Sequence, residues 1–182
     1  MRSVLARLLT WLALAGLYVT PVSAQTWDSL LSTIRRRFPG IRQLSPGDLA
    51  DWLAATNRPA PVLVDAREPA EFAVSHLAGA RNARTVDEIR ALPLPPTQPI
   101  VLYCSVGYRS SALAERLSKA GFTHVANLEA SLFAWANQGR PVYRGPERVD
   151  VVHPYDAHWG RLLDRRWHPP ASAGPDPDRQ PK

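Results

Sequence analysis

Cys104 is the only cysteine of this 182-residue chain, and it lies between an apolar run and a stretch with helical spacing. Ile100–Tyr103 has the composition of a buried strand, and apolar residues recur at helical intervals over 113–120. We therefore expect the cysteine in a strand-to-helix turn, with the helix beginning near Ser110. The N–H groups and the dipole at a helix N-terminus favour a thiolate over a thiol. The position predicts a reactive, anionic sulfur that is open to solvent.

The residues after Cys104 have types that suit an anion-binding loop. Gly107 permits a tight turn, Arg109 places a cation at the rim, and Ser110 or Ser111 can cap the helix. The backbone N–H groups expected to converge on the sulfur are those of Ser105, Val106, Gly107 and Tyr108. A free cysteine more often packs as a small hydrophobe, which is the alternative here. The neighbouring features together favour the reactive site.

The loop reads cysteine, four residues, arginine and serine, which resembles the active-site loop of the rhodanese sulfurtransferases. Two further stretches resemble signatures of that family and follow the family's order. The first runs from Val64-Asp65-Ala66-Arg67 to Asn82, and the second runs from Asn127-Leu128-Glu129 to Pro141. The resemblance covers about residues 44–142. It implies a rhodanese-like α/β fold in which a mainly parallel, five-stranded sheet carries helices on both faces.

The resemblance also implies a reaction. The Cys104 thiolate would take a sulfane sulfur from thiosulfate, a small anionic donor, or from a persulfide, and would itself become a persulfide. An acceptor thiol, a protein or cyanide would then remove the sulfur. The donor would be bound by the loop residues Ser105, Val106, Gly107, Tyr108, Arg109 and Ser110. Because Arg109 is the only cation in the loop, we expect thiosulfate to bind weakly and a persulfide to be the stronger candidate, with Tyr108 as an aromatic wall.

Two other functions are compatible with this resemblance. Phosphatase and arsenate reductase relatives of the same fold have a loop with five residues between the cysteine and the arginine, whereas four residues separate Cys104 from Arg109 in this chain. The shorter loop encloses a smaller space, which suits a single sulfur atom better than a tetrahedral oxyanion. A non-catalytic module that binds a partner or senses persulfides is the second alternative. The presence of Cys104, Gly107 and Arg109 together argues against it.

The net charge and the absence of metal and phosphate motifs limit which ligands and partners are expected. The net charge of +6 is dispersed along the chain, which favours general attraction of small anions and argues against a nucleic-acid partner. No cluster of cysteine, histidine and carboxylates has the spacing of a metal site, and no glycine-rich phosphate signature occurs, so neither a metal nor a cofactor is expected. Neither the stretch around Asp65 and Arg67 nor the Cys104 loop occurs a second time in the sequence, which excludes a tandem two-domain enzyme.

Asp65 and Arg67 are the expected supporting residues. The apolar strand Val62–Asp65 ends at Asp65, and functional groups of open α/β sheets gather at the carboxyl ends of strands, so Asp65 is expected near the cysteine loop. Arg67 and Glu71 stand four residues apart and are expected to form an ion pair on a short helical turn. His76 is interpreted as a hydrogen-bonded structural histidine rather than a general base for the thiol.

The elements around the cysteine define the rest of the organisation. We expect an amphipathic helix within 25–40, the rhodanese-like domain over 41–142, an extension over 143–168 and a disordered tail over 169–182. Ser45 and Pro46 have the types of a helix N-cap and first helical residue. In the extension, Tyr155 and Trp159 belong to an amphipathic segment that can fold back on the domain, and a partner-docking element is the alternative.

Residues 1–24 have the pattern of a secretory signal. Arg2 and Arg7 precede an uncharged, mostly apolar run, and Val22-Ser23-Ala24 offers small residues for cleavage. This predicts an exported, periplasmic protein without stable membrane insertion, and an uncleaved N-terminal anchor is the alternative. A single unpaired thiol in an oxidising compartment suits a residue that reacts rather than one that braces the fold.

Overall fold

The computed structural model describes residues 26–95 and 97–170, so the predicted signal at 1–24 and most of the predicted tail lie outside it. Five strands form one sheet: β1 (Arg42–Leu44), β2 (Val62–Asp65), β3 (Arg81–Asn82), β4 (Ile100–Tyr103) and β5 (Val125–Leu128). Their spatial order is β1-β5-β4-β2-β3, and each pair is parallel. The predicted α/β fold with a parallel five-stranded sheet is confirmed.

Six α-helices accompany the sheet in the described residues. They are α1 (Trp27–Arg37), α2 (Pro46–Ala54), α3 (Pro69–Val74), α4 (Val86–Arg90), α5 (Tyr108–Lys119) and α6 (Ser131–Asn137). The four residues of the central strand β4 are all at most 2% exposed, although alternate side chains point to opposite faces. Both faces of the sheet are therefore covered, as parallel strands require.

The start of α2 follows its sequence signals. Ser45 is the N-cap, its Oγ accepts the Asp48 amide at 3.1 Å, and Pro46 occupies the first turn. The Asp48 carboxylate in turn accepts the Ser45 amide at 3.2 Å, which completes a capping box. This cap fixes the end of β1, which lies beside β5 in the sheet.

The start of α5 differs from expectation. The helix begins at Tyr108, and its N-cap is Gly107 at φ 106°, so the predicted start near Ser110 is wrong. Glycine reaches this left-handed conformation without strain, and the chain therefore turns from the cysteine loop directly into the helix. Ser110 and Ser111 are buried inside the helix rather than acting as its N-cap.

The extension packs on the domain. Strands β6 (Val142–Arg144) and β7 (Glu147–Val149) form an antiparallel hairpin, and Tyr143 exchanges two backbone hydrogen bonds of 2.8 Å with His76. Two 3₁₀ helices follow, at Trp159–Leu162 and Arg165–Trp167. Asn137 at the end of α6 bonds to both sides of the link between them, and the side chains of Val152, Leu163 and Trp167 are buried. No helix within the described ranges 26–95 and 97–170 is long and apolar enough to cross a bilayer.

Candidate active site

Cys104 directly follows β4 and begins the turn into α5. The amide of Gly107 donates to its Sγ at 3.1 Å. A Cβ on Gly107 would stand 3.4 Å from the side-chain nitrogen of Asn127 and 3.6 Å from Cδ1 of Ile34, which are ordinary van der Waals distances. The left-handed backbone at φ 106°, rather than lack of space, therefore favours glycine here, and this conformation directs the N–H of Gly107 at the sulfur.

The first turn of α6 holds the loop in place. The amides of Leu132 and Phe133 donate to the carbonyl oxygens of Cys104 and Ser105 at 3.1 and 3.0 Å. The amide of Cys104 donates to Ser131 Oγ at 3.2 Å. The unpaired N–H groups that every helix start exposes are thus used to bind the loop. Ala130 and Ser131 both have left-handed backbones, at φ 54° and 51°, which costs about 1–2 kcal/mol each.

The guanidinium of Arg109 is bound to a buried carboxylate. Its Nη1 and Nη2 donate to Oε2 and Oε1 of Glu71, each at 2.8 Å, and Nη2 also donates to Ser105 Oγ at 3.1 Å. Ser105 Oγ donates in turn to Glu71 Oε1 at 3.0 Å. The Glu71 side chain is 4% exposed and that of Arg109 is 32% exposed. The cation of the loop is therefore largely neutralised within the protein.

The ionisation of this pair follows from its contacts. Burial alone would raise the pKa of Glu71, but the hydrogen bonds and charge of Arg109 lower it below its ordinary value. Burial would also lower the pKa of Arg109, whereas its hydrogen bonds with Glu71 and the charge of Cys104 raise it. Both groups are charged at neutral pH, and their formal charges cancel.

The predicted ion pair between Arg67 and Glu71 is wrong. Helix α3 begins at Pro69, so Arg67 precedes the helix and the spacing rule for helical neighbours does not apply. Arg67 instead binds Asp65 through Nε at 2.9 Å and Nη2 at 2.7 Å, and both side chains are fully buried. Burial would lower the pKa of Arg67, but the charge and hydrogen bonds of Asp65 raise it.

Asp65 lies near the loop because β2 pairs with β4. It stands opposite Tyr103, and the amide of Ala66 donates to the Tyr103 carbonyl at 2.8 Å. Nη2 of Arg67 also donates to the carbonyl of Ser75 at 2.6 Å, which ties the end of β2 to the segment after α3. The Asp65–Arg67 pair therefore braces α3, the helix that carries Glu71.

The sulfur borders a pocket of about 410 Å³. Its lining residues are Leu30, Thr33, Cys104, Ser105, Val106, Tyr108, Arg109, Tyr155 and Trp159. Cys104 itself is only 1% exposed, so the expected openness to solvent is reduced to contact with this pocket. Two of the predicted loop residues do not line the pocket. Gly107, the N-cap of α5, contacts the sulfur through its backbone amide, and Ser110 is buried within the helix.

Elements at both ends of the described chain meet at this pocket. The Phe38 and Tyr108 rings pack edge to face at 5.3 Å, which seats α1 against the loop. From the extension, the Tyr155 ring lies 4.8 Å from the Arg109 guanidinium carbon. The helical spacing of α1 predicts that Leu30 is buried, but no local signal in the sequence indicates that Leu30, Tyr155 and Trp159 face one cavity.

His76 has the structural role that its surroundings favour. Its Nε2 accepts the Gly145 amide at 3.3 Å, and Nδ1 therefore carries the proton that bonds the Leu77 carbonyl at 2.9 Å. The ring stacks on Phe72 at 4.1 Å. The Nε2 atom thus helps to hold the hairpin to the domain, Nδ1 bonds the carbonyl of the next residue, and neither nitrogen bonds to the Cys104 sulfur.

Comparison with known proteins identifies the relatives of this chain. Residues 45–138 match the family described as "Rhodanese-like domain". A protein named "Sulfurtransferase" from Allochromatium vinosum is 34% identical over 103 residues, which are 56% of this chain and 94% of that protein. The probable adenylyltransferase/sulfurtransferase MoeZ of Mycobacterium tuberculosis is 34% identical over 101 residues, which are 54% of this chain. The match spans only 25% of the length of MoeZ.

A solved structure agrees with these matches. The rhodanese-like domain of the Anabaena Alr3790 protein superposes with a TM-score of 0.51 at 26% identity. The superposition covers 61% of this chain and 89% of that domain. The helix α1 and the extension over 143–168 lie outside the matched family region, which is 45–138.

Proposed function

The chain belongs to the rhodanese-like domain family, and from this premise we propose that it is a sulfurtransferase which carries sulfane sulfur as a persulfide on Cys104. The observation that carries the proposal is the cysteine sulfur in the turn before α5, bonded by the Gly107 amide and bordering a pocket of about 410 Å³. A helix N-terminus and an amide donor stabilise negative charge on sulfur. Relatives named as sulfurtransferases support the same activity.

The reaction has two transfers. In the first, the Cys104 thiolate attacks the outer sulfur of the donor, a sulfur–sulfur bond forms, and the donor's own bond to that sulfur breaks. The bonding electron pair leaves with the donor remnant, which is sulfite when the donor is thiosulfate. In the second, an acceptor thiolate or cyanide attacks the outer sulfur of the persulfide, and Cys104 leaves as the thiolate again. No net oxidant or reductant is needed.

The loop serves both stages through the same donors. The Gly107 amide bonds the thiolate before the transfer, and the helix dipole favours the anionic persulfide after it. Ser105 and Arg109 are held by Glu71, so they are already in position when the donor arrives. A preorganised site of this kind avoids the cost of ordering side chains during the reaction.

Mass spectrometry of the intact protein tests the proposal. Wild type is incubated with thiosulfate or an organic thiosulfonate, and Cys104→Ser serves as the matched control because it changes one atom in a buried position. We expect one added sulfur atom on wild type, its removal by cyanide with formation of thiocyanate, and neither event in the variant. Identical behaviour of the two proteins contradicts the proposal. A persulfide that forms but resists every acceptor favours the persulfide-sensing alternative, and hydrolysis of a phosphate ester favours the phosphatase.

The predicted export and partners belong to the same proposal. A small anionic donor, an acceptor thiol or protein, and periplasmic localisation through residues 1–24 are the setting in which this activity would operate. N-terminal sequencing of the protein isolated from periplasmic extract tests the setting. A chain that starts at Gln25 supports it, and an intact N-terminus in the membrane fraction supports the anchored alternative.

A further inference from the structure

We infer that residues outside the family domain, above all Tyr155 and Trp159, select a sulfur donor that carries an aromatic group, such as an aryl thiosulfonate, over thiosulfate. The inference rests on the proposed sulfurtransferase function and names its donor class. It follows from three observations on the described residues: the charge of the pocket, its lining and the conformation of Tyr155.

The charge of the pocket is unfavourable for a dianion. Arg109 is the cationic residue among those that line the pocket, and the carboxylate of Glu71 cancels it through two bonds of 2.8 Å. The reacting thiolate of Cys104 adds a negative charge. Thiosulfate carries two negative charges, whereas an organic thiosulfonate carries one. Because like charges repel strongly in a partly buried site, the donor with the smaller charge is favoured.

The lining suits a carbon skeleton. The pocket wall contains two aliphatic and three aromatic side chains: Leu30, Val106, Tyr108, Tyr155 and Trp159. A volume of about 410 Å³ falls within the range of about 300–1,000 Å³ that is usual for organic ligands. Thiosulfate, which is hardly larger than sulfate, would leave most of this wall without contact. An aryl group would cover it and could pack edge to face on the rings.

The backbone of Tyr155 indicates that its position is not incidental. The residue has φ 66°, a left-handed conformation that is strained for a residue with a Cβ atom. The residue is nevertheless 46% exposed, and its ring centroid lies 4.8 Å from the guanidinium carbon of Arg109. Core burial therefore does not account for the strain. Strained residues of this kind cluster at ligand-binding sites, where the surrounding structure holds them in place.

Two thiosulfonates that differ only in the carbon group isolate the inference. Benzenethiosulfonate and methanethiosulfonate share the reacting sulfur and the charge, and thiosulfate is the third donor. We measure kcat/KM for each with cyanide as acceptor, in wild type and in Tyr155→Ala, Tyr155→Phe and Trp159→Ala. In wild type we expect the phenyl donor to exceed the methyl donor by about tenfold or more, as burial of an aryl group in an apolar pocket predicts.

The variants assign the preference to the wall. Tyr155→Ala and Trp159→Ala should each reduce the ratio of phenyl to methyl donor to within about threefold, because each loses one aromatic contact. Tyr155→Phe keeps the ring and should keep the ratio. Thermal melts of wild type and the three variants show whether each protein is folded. Because Tyr155 is exposed, we expect both of its variants to fold.

The outcomes separate this inference from the function on which it rests. Equal kcat/KM for phenyl and methyl donors, with a persulfide formed on Cys104, overturns the donor class and leaves the sulfurtransferase intact. An unchanged ratio in both alanine variants overturns the role of the aromatic wall. If no donor adds sulfur to Cys104, the sulfurtransferase function is overturned, and the donor class with it.

Discussion

Replacement of Glu71 by glutamine gives an unusual combination of effects, because this carboxylate both stabilises the site and lowers its affinity for anions. Glutamine keeps the size of the side chain and can accept one hydrogen bond from Arg109. In the structure Arg109 donates two charge-assisted bonds of 2.8 Å to Glu71, and the glutamine variant loses one of them. The variant therefore leaves a guanidinium in place with its charge no longer cancelled.

The cost to stability is set by the lost bond. A hydrogen bond between charged groups contributes about 1.5–3 kcal/mol, and the Glu71 side chain is 4% exposed, so little water replaces it. We expect the free energy of unfolding to fall by about 2 kcal/mol, which lowers the melting temperature by about 4–8 °C in a chain of this size. The matched control is Glu115→Gln, where the carboxylate is partly exposed and pairs with an exposed lysine, Lys119, in a helical ion pair that contributes about 0.5 kcal/mol or less.

The gain in anion affinity is set by the lost charge. Ser105 lines the pocket and its Oγ is 3.0 Å from the carboxylate, so a bound donor lies about 6 Å away, where one unit charge contributes at most about 3 kcal/mol at an effective dielectric constant of about 20. Solvent and salt reduce this figure. We expect about a tenfold gain in kcat/KM for thiosulfate relative to an organic thiosulfonate, which corresponds to about 1.4 kcal/mol for the additional charge.

Steady-state assays with both donors at two ionic strengths, together with thermal melts, test this reasoning. The relative gain for thiosulfate should be larger at low salt, since the effect is electrostatic. If Glu71→Gln melts at a lower temperature but the ratio of the two donors is unchanged or moves away from thiosulfate, Glu71 does not control the charge of the pocket. An unchanged melting temperature would show that its bonds to Arg109 contribute little.

Three further predictions follow from burial, backbone conformation and ionisation. Asp65→Asn leaves a buried guanidinium without its counter-charge and should cost about 3–5 kcal/mol in denaturant unfolding, against less than about 0.5 kcal/mol for Asp87→Asn in an exposed pair; equal costs would contradict this account. Gly107→Ala and Gly79→Ala both place an alanine at a left-handed position, at about 1–2 kcal/mol each, and relief of that strain displaces the local backbone. Only at position 107 does the displacement move an N–H that bonds the sulfur, so only Gly107→Ala should also slow persulfide formation. Similar rates of sulfur loading in the two glycine variants would show that the position of this N–H does not limit the reaction. The lowered pKa of Glu71 means that its stabilisation is present above its ordinary value of about 4.5 and is lost as the pH falls through the lower folded value. The melting-temperature difference between wild type and Glu71→Gln should therefore shrink as the pH is lowered from neutrality to below the ordinary value of about 4.5, and a constant difference would refute the assignment.

Local patterns were sufficient for the strands β2 and β4, for the helices α1 and α2 and for the position of the cysteine, but they did not indicate the two-residue strand β3 or the hairpin of β6 and β7. The uninterrupted apolar run of β4 indicates a strand buried on both faces, and Ser45 with Pro46 marks the start of α2. These signals work because propensity, capping and burial periodicity depend on residues within a few positions of one another. The start of α5 was misplaced for a related reason, since the serines were given the capping role that the left-handed Gly107 performs.

The partners of charged side chains were beyond such patterns. Spacing alone paired Glu71 with Arg67, whereas the structure pairs it with Arg109, 38 residues away. Two facts decided the outcome: Arg67 lies outside α3, and the carboxylate of Asp65 is next to it at the end of β2. An ion pair forms with whichever opposite charge the fold brings closest, and sequence distance does not measure that.

The sequence by itself determined that this chain forms a rhodanese-like sheet and that one cysteine stands at a strand-to-helix turn, because those features are encoded in consecutive residues and in the order of the family's signatures. Only the tertiary structure decided what surrounds the sulfur. Leu30 from α1 and Tyr155 and Trp159 from the extension line one pocket although they are far apart in the chain, and Glu71 from α3 binds the pocket residues Ser105 and Arg109. Their convergence depends on how the helices and the extension pack on the sheet, and that packing is a property of the whole fold rather than of any one segment.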